Sequence, residues 1–516
     1  MALITGSHLD LGLYIAFVLA ILTFWWYYRH HQSMKKLPPG PWGWPLLGLL
    51  PRILLEIRGG SHPHLLFTKL TRRFGPIFGF NVVNQTLVIL NDYASVKQAF
   101  QNPHLSDRPP KTLIAEAMKS EGVAMSSGKK WKDLRQFSLT VLRSLGVGRA
   151  TFEHRIGTEA QALIREISSH KGKGFNPKLI FGNAVANVIC SVVVGKRYEY
   201  SDPTFTNLMR VIHRIVNHIG SGGLKNAIPA MRVFTGNKTE IFATFGEFRS
   251  FLLDVVASHR LNFDLYNLQD FTDAYLMEII HNEEANGSLV SSQASVTEHS
   301  GTLKHPHLND NNIVGTLGNL FAAGMETTAT TLLWAVVYMM AYPDIQRRVQ
   351  DEIDTVVGRN RLPRLADKPG LNFTQAVLWE VQRISVVVPL GMPHFASADT
   401  EVRGFAIHKE TILMANLWAL FRDEKVWPEP AKFKPERFLD ANGKAVKPDE
   451  LIPFSIGRRS CIGEHLAKME LFIFFTYFMH QFTFRKPEDS APLTFEAMVG
   501  LTRYPLPFDT CAILRD

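Results

Sequence analysis

Residues 11–28 read LGLYIAFVLAILTFWWYY, eighteen positions without a charge in a chain of 516 residues. Inside lipid a backbone must satisfy its own N–H and C=O groups, so such a run has to be a helix, and it is about long enough to span a bilayer when tilted. Trp25, Trp26, Tyr27 and Tyr28 close it with the aromatic side chains that favour a membrane interface. Arg29, His30, His31, Lys35 and Lys36 follow, and no Lys or Arg precedes it. The bias of basic residues toward the cytosolic side then makes residues 1–10 a lumenal tip and residues 11–28 a transmembrane signal anchor. A cleaved signal peptide competes with this, but it wants a basic start, a shorter apolar run and a small-residue cleavage site. A cytosolic domain also never meets the glycosylation machinery, which leaves the sequons at Asn84, Asn237, Asn286 and Asn372 bare. Leu37-Pro38-Pro39-Gly40-Pro41-Trp42-Gly43-Trp44-Pro45 is stiffened by its prolines, so residues 29–45 read as a basic, proline-rich hinge. Residues 46–516 read as one large domain, with no second linker and no solenoid repeat.

Hydrophobic residues make up 46% of the chain and charged residues 20%, which supports a large core. Helix-type apolar spacing dominates, and alternating strand patterns are few and short, so the fold class is mainly α with small β-sheets. Three cysteines cannot build a disulfide framework and point to a reducing compartment. Lys and Arg total 56 against 47 acidic residues, a net charge of +9. That suits an acidic partner or anionic lipid headgroups, although most such charges are simply solvated. No nucleic-acid motif accompanies it. His281 to His307 is polar and reads as a surface loop. After it Asn309 or Asp310 is a helix cap, and apolar spacing continues to Pro343, a helix of roughly thirty residues, about 45–50 Å long.

Near the C-terminus lies Phe454-Ser-Ile-Gly457-Arg-Arg459-Ser-Cys461-Ile-Gly463, followed by a helix from Glu464 to roughly Phe482. A thiolate is a strong ligand for haem iron, and free N–H groups at a helix start favour the thiolate. Gly457 and Gly463 let the backbone approach a flat macrocycle, and Phe454 is placed to keep water from the sulfur. A buried, inert cysteine is the bland alternative. The spacing resembles the haem-binding signature Phe-x-x-Gly-x-Arg-x-Cys-x-Gly of the cytochrome P450 family, with all five fixed positions present. The likeness extends over nearly the whole chain, through Phe137-Ser-Leu-Thr, Asn187-Val-Ile-Cys-Ser, Asp270-Phe-Thr-Asp, Asn416-Leu-Trp and Glu464-His-Leu-Ala-Lys-Met-Glu-Leu. It points to the animal microsomal, reductase-dependent branch with drug-metabolising and fatty-acid-hydroxylating members.

The resemblance implies a triangular helical prism around haem b, with Cys461 as the axial ligand of the iron. Ala323-Gly324-Met-Glu326-Thr327-Thr328 matches the family motif on the oxygen side, which implies that Glu326 and Thr327 deliver protons; a Gly followed by hydroxyl side chains can also open the helix ladder. Trp131 and Arg135, four apart on one helix face, and Arg459 suit the haem carboxylates; the likeness adds Arg108 and His394. Glu380, Arg383 and Arg437 are implied to lock the core around the cysteine loop. Two departures are His408-Lys-Glu410-Thr, where Pro-Lys-Gly-Thr is usual, and Phe421, where His is usual.

No nicotinamide or flavin fingerprint is visible. The resemblance therefore implies electrons from NADPH through a separate cytochrome P450 reductase, with cytochrome b5 as an optional second donor. Lys129, Lys130, Lys132, Arg135 and Arg458 are the expected basic docking groups. The resemblance also implies a substrate pocket between the long helix and several loops, lined by Ile114, Phe321, Ala322, Thr327, Val388, Leu390 and Leu501. That apolar lining fits a lipophilic fatty acid, steroid or xenobiotic, oxidised with O2 at the endoplasmic reticulum membrane. Two rival readings remain at this point: a thiolate-haem isomerase acting on a lipid peroxide, and a non-enzymatic haem sensor or redox carrier.

Overall fold

The computed structural model describes residues 13–14, 17–18, 21, 24, 37–44, 46–110, 112–119, 121–222, 238–285 and 306–515. The hinge residues 29–36, the sequons at Asn237 and Asn286, and most of the polar 281–307 stretch therefore lie outside the described residues. Helix α1 (Pro63–Phe74) packs on a hairpin of β1 (Ile77–Val82) and β2 (Gln85–Leu90). Helices α2 (Tyr93–Gln101), α3 (Gly128–Ser144), α4 (Ala150–Ser169), α5 (Lys178–Val193), α6 (Pro203–Gly222) and α7 (Lys238–Leu261) follow. Beyond them come α8 (Asp310–Ala341), α9 (Asn372–Ser385), strands β3 (His394–Phe395) and β4 (Ile412–Ala415), and α10 (Glu464–Gln481). The order within the four-stranded sheet is β1-β2-β4-β3, with β2 and β4 parallel and the other pairs antiparallel. A parallel pair needs a crossover connection. Here the crossover holds most of the helices, so the sheet clamps the two ends of the domain together.

The long helix forms as its sequence predicts. The Asn309 side chain accepts a hydrogen bond from the Asn312 N–H at 3.2 Å, and the helix stops before Pro343, which cannot continue it. Among the described residues α8 alone is long and apolar enough to cross a membrane, but 67% of its most apolar window is buried inside the protein. It is the core helix, flanked by α5, α7, α9 and α10. A Cβ on Gly324 would lie 2.6 Å from Ile189 Cδ1, so glycine there sets how closely α5 approaches. The helix runs through this point without a break; the Thr327 hydroxyl donates to the Ala323 carbonyl at 2.9 Å beside the intact ladder.

The Glu380–Arg383–Arg437 lock is present. Arg383 donates to both carboxylate oxygens of Glu380, at 2.6 and 2.8 Å, and Arg437 Nε donates to Oε1 at 3.2 Å. Arg383 also donates to the carbonyls of Phe421 and Pro430. Phe421 thus contributes through its backbone and fills the interior with its ring. The turn at His408–Glu410 places Glu410 at φ +68°, left-handed for a residue with a Cβ. Glu410→Gly is expected to stabilise the domain by about 0.5–1 kcal/mol, read as a raised thermal midpoint. A lowered midpoint would show that the Glu410 side chain contributes more than the strain costs.

Candidate active site

A cavity of about 340 Å³ lies between α8 and the loop before α10. Cys461 forms part of its wall and counts as solvent-exposed, yet it sits deep in the fold; the accessible area faces the inside of the cavity. The Cys461 N–H donates to the Phe454 carbonyl at 3.0 Å, which closes the loop and turns the sulfur toward the cavity. The N–H groups of Gly463 and Glu464 bond the sulfur, as the helix start predicts. Burial still pushes the thiol up, and these donors with Arg135 offset only part of it. A bound metal cation removes that proton outright.

Arg108, Trp131, Arg135, His394 and Arg459 all reach the same cavity wall. Arg459 stacks on the Trp131 ring at 4.0 Å and donates to the carbonyls of Ser106 and Ser126. Arg135 Nη2 donates to Ser460 Oγ at 3.1 Å, tying α3 to the cysteine loop. Arg108 donates to the Pro393 carbonyl at 2.7 Å. His394 stacks on Phe100 at 3.7 Å and shares a hydrogen bond with the Leu105 carbonyl through Nδ1. Burial holds all three arginines below their ordinary value, and mutual repulsion adds to this at Arg108 and Arg459. Burial, then Arg108, likewise drives His394 well down, so it is neutral. Cations this close and this dry form no ion pair among the described residues, and a planar group with two carboxylates would supply one. A thiol opposite completes a donor set that fits haem.

Two expected positions fall elsewhere. Gly457 is not on the cavity wall. It holds φ +76°, and a Cβ there would lie 2.1 Å from the Phe100 carbonyl oxygen, so glycine there lets the loop cross α2. Glu326 also misses the cavity. Its carboxylate accepts from Thr502 at 3.3 Å and Thr330 at 3.5 Å, and burial raises it above the usual carboxylate range. Thr327, Phe454 and Gly463 do border the cavity. Gly463 has φ −89°, and a Cβ there would sit 3.9 Å from Cys461 Sγ, an ordinary contact.

The sequence reading missed Glu470. It lies on α10, on the cavity wall, with Oε1 buried and unpartnered among the described residues. Burial pushes it up to about 8, and Thr328 of α8 bonds it. Phe421, one of the two departures from the family pattern, is also on this wall. A second, smaller cavity of about 110 Å³ shares Arg108, Gly391 and Met392 with the first. Of the expected substrate contacts, Thr327 and Val388 line the larger cavity and Ile114, Leu390 and Leu501 the smaller; Phe321 and Ala322 line neither.

A mainly helical fold with a cysteine-walled, arginine-capped cavity defines the haem-thiolate class. The model of the cytochrome P450 family matches residues 38–512, and the chain belongs to that family. It is 36% identical to a vitamin D(3) 25-hydroxylase of Sus scrofa over the full length of both chains. It is 35% identical to cytochrome P450 2D1 of Rattus norvegicus, over all of this chain and 99% of that one. Cytochrome P450 2U1 of Bos taurus is 36% identical over 96% of this chain and 93% of its own. The protein is a monooxygenase of this family, and the family implies haem iron with a thiolate ligand.

Proposed function

We propose that the protein inserts one atom of O2 into a lipophilic substrate, using electrons passed from NADPH by a separate reductase. The observation that carries this is the joint wall of one cavity: Cys461 on one side, Thr327 on the α8 side, and a dry cluster of arginines at the edge. Haem supplies the redox chemistry of oxygen when bound. Cys461 would ligate its iron, held by the Gly463 and Glu464 N–H groups. Arg108, Trp131, Arg135, His394 and Arg459 would bind and orient its carboxylates. Phe454 would shield the sulfur. Thr327 already holds a hydroxyl at the cavity face, and burial raises the carboxyl of Glu326 one residue away; together they form the proposed proton supply.

The thiolate-haem isomerase and haem-sensor readings predict no consumption of reductant. Purified holoprotein with reductase, NADPH and O2 should yield oxygenated product from a lipid extract; no NADPH use beyond the leak would leave only those readings. Thr327→Ala is expected to lower product formation on the order of 10²-fold while NADPH oxidation continues. Product and NADPH falling in parallel would remove Thr327 from proton delivery.

Residues 11–28 would anchor the domain in the endoplasmic reticulum membrane. In support, the described residues Leu13, Tyr14, Phe17, Ile21 and Phe24 are helical and exposed, and the side chains of Trp42 and Trp44 at the end of the hinge and of Leu46 and Leu47 just past it are exposed too. Exposed tryptophans beside an apolar helix suit the lipid interface. The exposed Lys129, Lys132 and Arg458 would meet an acidic electron donor, with Lys130 and Arg135 half-buried behind them.

A further inference from the structure

The smaller cavity carries a polar corner that oxygen chemistry does not require. His62 and His64 stand on its wall, their rings stacked at 5.8 Å and only 6° from parallel. His64 is 2% exposed, and its Nδ1 has no hydrogen-bond partner among the described residues. A polar atom left so costs about 1–3 kcal/mol, which argues that a ligand completes it. The rest of the wall is apolar or neutral apart from Arg108, and no carboxylate borders the cavity.

Two more guanidiniums lie behind that corner, across Trp418 and outside the cavity wall. The Trp418 ring meets His64 edge-on at 4.9 Å. Arg422 lies over the same ring at 3.2 Å and Arg503 at 4.9 Å. Arg503 is buried, and its hydrogen bonds go to the carbonyls of Ser385 and Phe495, not to an acid. Arg422 donates to the Ile384 carbonyl, and its Nη1 has no partner among the described residues. Burial acts first on His64, and His62, Arg503 and Arg422 pull it further down, to about 3. The imidazole is neutral, with its protonated form suppressed by a field that an anion would relieve.

We propose that this cavity is a head-group pocket, which takes the carboxylate of a long-chain acid against His62 and His64 while the chain passes Arg108 and Met392 into the haem cavity. The shared wall of Arg108, Gly391 and Met392 makes the two spaces neighbours. Buried guanidiniums that form no ion pair among the described residues favour an anion nearby over an isosteric neutral head. Fixing the head in this pocket puts the far part of the chain, not the carbons beside the carboxylate, at the Thr327 side of the haem cavity. The proposal rests on the oxygen-insertion reading and names its substrate class.

The test uses the full-length holoprotein and three probes of one chain length: a C16–C20 fatty acid, its methyl ester and its alcohol. Binding is read from the haem absorption change on titration. The acid is expected to bind about tenfold more tightly than either neutral probe, a difference of 1.4 kcal/mol. In His62→Ala and His64→Asn the acid's advantage should shrink to within about twofold. Oxidation products of the acid should lie in the distal half of the chain. Equal binding of acid, ester and alcohol to the unaltered protein overturns the proposal. So does an acid preference that survives in both variants. Should His64→Asn fail to give folded holoprotein, His62→Ala and the three-probe comparison decide alone. Failure of the monooxygenase reading looks different, since the acid then binds and no oxygenated product forms from any probe.

Discussion

Protein carrying Cys461→Ser is expected to lose the long-wavelength absorption of the reduced carbon monoxide complex that marks thiolate ligation, and to turn over no substrate above background. An alcohol is far less acidic than a thiol and is not a soft ligand, so the N–H groups of Gly463 and Glu464 cannot hold it as an anion. The fold should survive, because the loop is also closed by the Cys461 N–H to the Phe454 carbonyl and by Arg459 to Ser106 and Ser126. The control is Cys190→Ser. Cys190 is wholly buried in α5, burial raises its thiol, and it should leave the absorption in place. Retention of the band and of turnover by the Cys461 variant would end the haem-thiolate account.

Glu380→Ala is expected to cost about 3–5 kcal/mol, a large part of the 5–15 kcal/mol that holds a typical domain. Glu380 and Arg383 have no exposed side-chain surface, and Arg437 is only slightly exposed. Removing the one carboxylate leaves two guanidiniums facing each other among carbonyls that cannot neutralise them. Arg383 also holds Phe421 and Pro430, so the loss should spread toward the cavity wall. Denaturation midpoints of the holoprotein measure the effect. Glu380→Gln keeps the shape without the charge and should fall between. A loss below about 1 kcal/mol for the alanine variant would show that the trio does not act as a lock.

Residues whose placement follows from spacing were legible. Trp131 and Arg135 sit four apart and share a helix face, Glu380 and Arg383 sit three apart and pair, and the Asn309 cap and Pro343 bracket α8. What spacing alone did not reveal was direction. Adjacent helical residues point about 100° apart, since a turn takes 3.6 residues. Thr327 faces the cavity together with Leu320, Ala323, Gly324 and Thr331, and so Glu326 must turn toward Thr330 and Thr502. What constrains Gly457 was hidden for a different reason. Its constraint is the Phe100 carbonyl, more than three hundred residues away in the chain, and no local pattern encodes that contact. Glu470 could have drawn notice as an acid amid the apolar α10 sequence, but its bond to Thr328 is again a contact between distant segments. The pocket with His62 and His64 is of the same kind, assembled from the start of α1 and the loops around residues 390 and 500.

With haem held as proposed, the crowded guanidiniums at the cavity edge would make the polypeptide depend on its prosthetic group for more than colour and catalysis. Like charges confined without water raise the free energy of the empty fold, and a dianionic guest removes that burden, so its binding energy counts directly toward keeping the chain folded. Scarcity of the pigment would then show first as a shrinking pool of intact molecules open to proteolysis, before the survivors slowed at all.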